Sequence, residues 1–145
     1  MARVLCAVDG SHVGRQAVDA AVAFCREHNA DLELVGVVKE RLSDSTRATG
    51  GELVRRYNQV QFELARAAAI AREAGLTPEI ALRSGNMVKE LLREADATLA
   101  EEVFLARRHS RIWAALTGRP RETVTRVTLA GAPRTKVEYE LKKAA

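Results

Sequence analysis

At 145 residues, 47% of them apolar and 29% charged, the chain has the size of one globular domain with a sizeable core, spanning residues 1–145. No window approaches the about eighteen uninterrupted apolar residues of a membrane helix, and MARVLCAVDG leads straight into a strand-like run instead of a signal peptide. The expectation is therefore a cytoplasmic protein with no membrane partner, and a net charge of +4 permits weak attraction to polyanions without specifying a nucleic-acid partner.

Arg3 to Val8 (RVLCAV) is a short apolar run that suits a strand covered on both faces. Asp9, Gly10 and Ser11 are turn and N-cap residues, and Val13, Ala17, Ala21 and Phe24 then recur at the spacing of one helical face, ending near Asn29. Asp31 to Val38 (DLELVGVV) is the second strand, and Lys39 to Gly51 has the polar composition of a surface loop. Leu53, Tyr57, Val60, Leu64, Ala67 and Ala71 mark the longest helix, which Gly75 stops.

Glu79 to Leu82 is a brief third strand, followed by a turn at Ser84 to Asn86 and an amphipathic helix through Val88, Leu91, Leu92, Ala95 and Leu99. Glu102 to Ala106 is the fourth strand. From Ser110 to Ala130 the pattern is helical, broken at Gly118 and Pro120. Thr135 to Lys142 (TKVEYELK) alternates, with Val137, Tyr139 and Leu141 on one face, and predicts a fifth strand at a sheet edge. Strands alternating with helices argue for an α/β fold, a doubly wound parallel sheet with helices on both faces.

The block VLCAVDGSHVGRQAVDAAVAF at residues 4 to 24 resembles the opening of the universal stress proteins. ADLELVGVV at 30 to 38, Ser84-Gly85-Asn86 and AEEVFLA at 100 to 106 follow in the order and spacing of that family. The resemblance implies an adenine nucleotide alpha hydrolase-like fold with strand order 3-2-1-4-5 and ligands beyond the carboxyl ends of the first and fourth strands. It also implies nucleotide contacts from Asp9 and from the backbone of Val37. Nucleotide-binding members carry Gly-x-x-Gly, nine residues, then Gly-Ser or Gly-Thr after the fourth strand. Here Ala106-Arg107-Arg108-His109 is followed, eight residues later, by Gly118-Arg119. Side chains stand where the family's glycines let backbone N–H groups approach phosphate, so ATP is not expected to bind with the family's usual geometry.

Each candidate has a plainer structural reading. Asp9 also serves as part of the helix cap, and Val37 as core. Ala106 to Arg126 holds six arginines and one glutamate, a local charge of +5, which is either an arginine-built anion site in place of a glycine-built one or a solvated basic face on which Arg126 pairs an acid elsewhere. Trp113 reads as a packing or dimer-contact residue, because base-stacking surfaces interleave several aromatics. Cys6 and Cys25 read as buried reduced thiols, and His12, His28 and His109 are too scattered to form a metal site.

The function these readings support is a regulatory or ligand-sensing homodimer, paired through the last strand by Val137, Tyr139 and Leu141 and acting on an unidentified protein partner. One alternative is a nucleotide-binding protein, taking AMP, or ATP with magnesium, at the arginine-rich segment. A polyanion-binding module is another, and slow ATP hydrolysis a lesser one.

Overall fold

The computed structural model describes residues 2–39, 50–131 and 134–144. Residues 40–49, most of the expected Lys39 to Gly51 loop, lie outside them. The apolar runs Arg3–Val8 (β1) and Asp31–Lys39 (β2) pair in parallel at the centre of one five-stranded sheet, Leu5 opposite Glu33 and Ala7 opposite Val35. Glu79–Gly85 (β3) adds to β2 in parallel, and Glu102–Arg108 (β4) adds to the other side of β1. Glu122–Thr128 (β5) completes the order β3-β2-β1-β4-β5, the order expected.

Two helices cover each face. His12–His28 (α1) and Gly50–Glu73 (α2) bury Ala17, Val18, Ala21, Cys25, Leu64 and Ala68 against one face of the sheet. Met87–Thr98 (α3) and Arg134–Ala144 (α5) cover the other. The connecting helix Arg111–Thr117 (α4) buries none of its residues. The caps follow the sequence: Ser11, Asn86 and Ser110 each accept from the backbone N–H three residues on, and Gly118 ends α4 in the left-handed conformation. Gly36 lets α2 approach β2, since a β-carbon there would stand 2.5 Å from Val60 Cγ1 and 2.8 Å from Leu64 Cδ1.

Two expectations are corrected. The final strand is not at Thr135 to Lys142. That segment is α5, in which Val137 and Leu141, four residues apart, are buried in the core cluster that includes Leu5, Val103 and Val127, while Tyr139 is 57% exposed. A strand pairing of Val137, Tyr139 and Leu141 across a dimer axis is therefore not available: two of the three fill the protein's own core. The fifth strand comes instead from Glu122–Thr128, in the stretch expected to be helical, and it runs antiparallel to β4, so the sheet is mixed and not wholly parallel.

The β-branched residues Thr123, Val124, Thr125, Val127 and Thr128 explain the strand. Its anchor is Glu102, 8% exposed, which accepts from Arg126 Nε at 2.9 Å and Nη2 at 3.1 Å and from the Thr128 hydroxyl. The Arg126 guanidinium also lies over the Phe24 ring, 4.4 Å from its centroid. A buried carboxylate with three donors is satisfied, and the same contacts fix β5 to β4.

Candidate functional site

A parallel sheet offers ligands the crevice outside the carboxyl ends of its strands. In this protein β1 ends at Val8, β2 at Lys39 and β4 at Arg108, and two adjoining cavities open there, of about 560 Å³ and 230 Å³. Asp9, Lys39 and Met87 line both, so they form one cleft of two chambers. The larger volume lies within the usual range for small-molecule sites, about 300–1,000 Å³.

The larger chamber joins an apolar wall of Val8, Val37, Val38, Val60 and Met87 to polar groups from α2, Gln59 and Glu63. Glu63 is held by Arg15 of α1, Nη2 to Oε1 at 3.1 Å, and Arg56 donates to the Lys39 carbonyl at 3.3 Å. These contacts fix the α2 wall to both α1 and the end of β2.

The smaller chamber is built on β4. Ala106, Arg107 and Arg108 line it, with Leu91, Leu105 and Glu122. Neither guanidinium has an ion pair or hydrogen bond among the described residues, and Nε of Arg107 is buried without a partner. A buried N–H that nothing accepts carries a desolvation cost of about 1–3 kcal/mol, which an acceptor entering the chamber would relieve.

Asp9 sits at the divide. Its Oδ1 accepts from the Ser11 backbone N–H at 2.9 Å and the Ser11 hydroxyl at 2.7 Å, while Ser11 Oγ accepts from Gly14 N–H at 2.9 Å. A β-carbon at Gly14 would collide with Asp9 Oδ1, so a glycine there is what lets the carboxylate reach the cap. Asp9 thus performs its capping role with one oxygen, and Oδ2 has no partner among the described residues.

The other candidates lie apart. His109 does not line either chamber: its ring stacks on Trp113, centroids 3.6 Å apart, and Nε2 meets the Thr123 hydroxyl at 2.9 Å. Burial, with the charge of Arg107, holds its pKa below the usual histidine value. Trp113 accordingly packs within its own hairpin. Gly118 caps α4 and Arg119 is exposed in the following turn, and neither lines the cleft. The structure brings together Asp9, Val37, Ala106, Arg107 and Arg108, and separates them from His109, Gly118 and Arg119.

Sequence reasoning missed Lys39, the last residue of β2, and Gln59, Glu63 and Met87, which reach the cleft through the packing of α2 and α3 on the sheet. The one local signal was Gly36, a strand glycine that marks close approach of another element. Among the described residues no group of three His, Cys, Asp or Glu side chains could hold a metal ion, and no helix is long and apolar enough to cross a membrane.

Comparison with known proteins agrees with this architecture. Residues 1–130 match the model of the universal stress protein family. No curated protein matches the chain by sequence. Among solved structures, a universal stress protein family member from Burkholderia pseudomallei is 25% identical, with 69% of this chain and 76% of that one covered and a TM-score of 0.61. A universal stress protein in complex with cAMP is 24% identical, covering 81% of this chain and 85% of that one, with a TM-score of 0.57. A universal stress protein family protein from Arabidopsis thaliana with AMP bound is 13% identical, covering 70% and 73%, with a TM-score of 0.52. The match across residues 1–130 and the sheet order carry the same conclusion: this chain belongs to the universal stress protein family.

Proposed function

We propose that the protein is a regulatory sensor that binds an adenine nucleotide in the two-chambered cleft, its phosphate held by arginines in place of the family's glycine loop. The observation that carries this reading is the Arg107–Arg108 pair on β4, unpaired among the described residues, with the partnerless buried Nε of Arg107, beside a chamber with an apolar wall and room for a base. Guanidinium forks match phosphate oxygens, and charge-assisted bonds of this kind contribute about 1.5–3 kcal/mol each. Val37 and Val38 offer the base an apolar surface, and Asp9 Oδ2 and Gln59 offer acceptors for an amino group. Solved universal stress proteins in complex with cAMP and with AMP support the ligand class.

Calorimetric titration with adenine nucleotides tests it. Saturable micromolar binding, weakened at least tenfold in Arg107→Ala/Arg108→Ala and only mildly salt-dependent, is the expected result. No heat from any nucleotide would refute the reading, and affinity that collapses with salt for every polyanion alike would replace it with non-specific phosphate attraction.

The homodimer belongs to the same proposal, moved to the outer edge of β5, which is unpaired among the described residues. Light scattering coupled to size exclusion should give twice the chain mass at micromolar concentration, and a monomer would refute that part.

A further inference from the structure

Resting on that reading, we infer that the cleft selects nucleoside monophosphates over triphosphates, because the β4–β5 hairpin closes the chamber that would receive the β- and γ-phosphates. A triphosphate needs a run of donors leading away from the first phosphate. Here the chain beyond β4 is committed elsewhere. The antiparallel ladder continues to the last residue of β4, with Arg107 opposite Thr123 and Arg108 opposite Glu122. One step further, His109 N–H donates to the Arg121 carbonyl at 2.5 Å, and Arg121 Nε donates to the His109 carbonyl at 3.2 Å. Of the backbone N–H groups in this stretch, that of His109 is committed to the Arg121 carbonyl and that of Trp113 to the Ser110 side chain at 3.1 Å.

Charge points the same way. Apart from Val88, Leu91, Leu105 and other apolar residues, the lining of the phosphate chamber is charged. Its cations are Arg107, Arg108 and Lys39, and its acids are Asp9 and Glu122. Three cations against two acids leave the chamber at +1, short of even one phosphate dianion. A triphosphate would bring further negative charge beside Asp9 and Glu122, and like charges repel. Gly118 and Arg119, the remnants of the family's distal phosphate segment, lie outside the cleft and supply nothing. Arg107 and Arg108 are thus the residues that set phosphate number, since the chain beyond them is paired into the hairpin and not wrapped around a second phosphate.

The test is calorimetric titration of the full chain with adenosine, AMP, ADP and ATP, the last two with and without magnesium. The expected order has AMP at least tenfold tighter than ATP and at least tenfold tighter than adenosine. In Arg107→Ala/Arg108→Ala the AMP advantage over adenosine disappears. Arg107→Lys, which keeps the charge and the length but loses the fork, retains the fold and weakens AMP by several-fold. ATP binding as tightly as AMP would overturn the selectivity while leaving the nucleotide-sensor reading intact. Adenosine equal to AMP would overturn the phosphate role of the arginines, and silence with all four ligands would remove the nucleotide reading and this inference together.

Discussion

Replacing Leu141 by alanine tests the assignment of the C-terminal segment as a core-sealing helix. Leu141 is fully buried, with Val137 one turn before it at 5% exposure, both packed in the cluster that includes Leu5, Val103 and Val127. Truncation removes about three methylene equivalents, a transfer loss of about 2.4 kcal/mol at about 0.8 kcal/mol each. The helix is held by the sheet and cannot collapse fully onto the hole, so a cavity contribution brings the expected cost to about 3–4 kcal/mol, within the roughly 2–5 kcal/mol typical of such truncations. Tyr139, on the same face of an imagined strand but 57% exposed in the helix, should cost less than half as much when replaced by alanine. Urea unfolding followed by circular dichroism gives both numbers, with the midpoint lowered and the slope against urea unchanged. A strand at a dimer axis would make the two substitutions similar and would change the oligomeric state. Equal costs, or a Leu141→Ala cost below about 1 kcal/mol, would refute the helix packing described above.

Gly36→Ala should destabilise by about 1–3 kcal/mol, because the new β-carbon forces Val60 and Leu64 of α2 outward, and it should also weaken nucleotide binding through Val60; an unchanged urea midpoint would contradict it. Glu33, buried in β2, is pushed up to about 8, first by burial and then by its hydrogen bond to Glu94, against the pull of Arg3 at 3.2 Å. The folded state therefore holds a proton that the unfolded chain releases near about pH 4.3, so this group's contribution falls as pH rises from there to about 8 and is constant above. Glu33→Gln should flatten that slope in urea titrations across the window, and an undiminished slope would show that Glu33 is not its source. Trp113, the single tryptophan, should report the titration of the stacked His109 as a fluorescence change centred below the ordinary histidine value of about 6.5, and a midpoint at or above it would contradict the burial of that ring. Burial pushes the Cys25 thiol up to about 11 and the Cys6 thiol higher still, so neither should react with a thiol reagent at neutral pH until the protein unfolds.

The elements from β1 to β4 were legible because each carries a clean local pattern: apolar runs such as RVLCAV, caps such as Ser11, and helical faces such as Leu64–Ala67–Ala71. The last two elements were exchanged for a physical reason. In TKVEYELK the apolar positions 137 and 141 are four apart and satisfy a helix, and only Tyr139 between them completes an alternation. In ETVTRVT the polar threonines disguise a strand whose β-branched content was the better guide. The antiparallel hairpin follows from that strand, and nothing local specifies it: Glu102 meets Arg126 and Thr128 only after β5 folds back.

At the site, Asp9 and Arg107 could be named from sequence through the family resemblance, which places ligand contacts beyond the strand ends of a doubly wound sheet. Gln59 and Glu63 could not, since their role depends on the close approach that Gly36 permits. His109, Gly118 and Arg119 were carried by resemblance to a loop that this chain has folded into a hairpin and a helix of about two turns.

The most direct test of the central claim is a residue-resolved NMR titration of the isotopically labelled full chain with AMP. The account predicts saturable shift changes at Val8–Ser11, Val37–Lys39, Met87 and Ala106–Arg108, with the exposed face of α4 unmoved. Shifts confined to the arginines of the α4 hairpin, or none at saturating AMP, would contradict a nucleotide site at the carboxyl ends of β1 and β4.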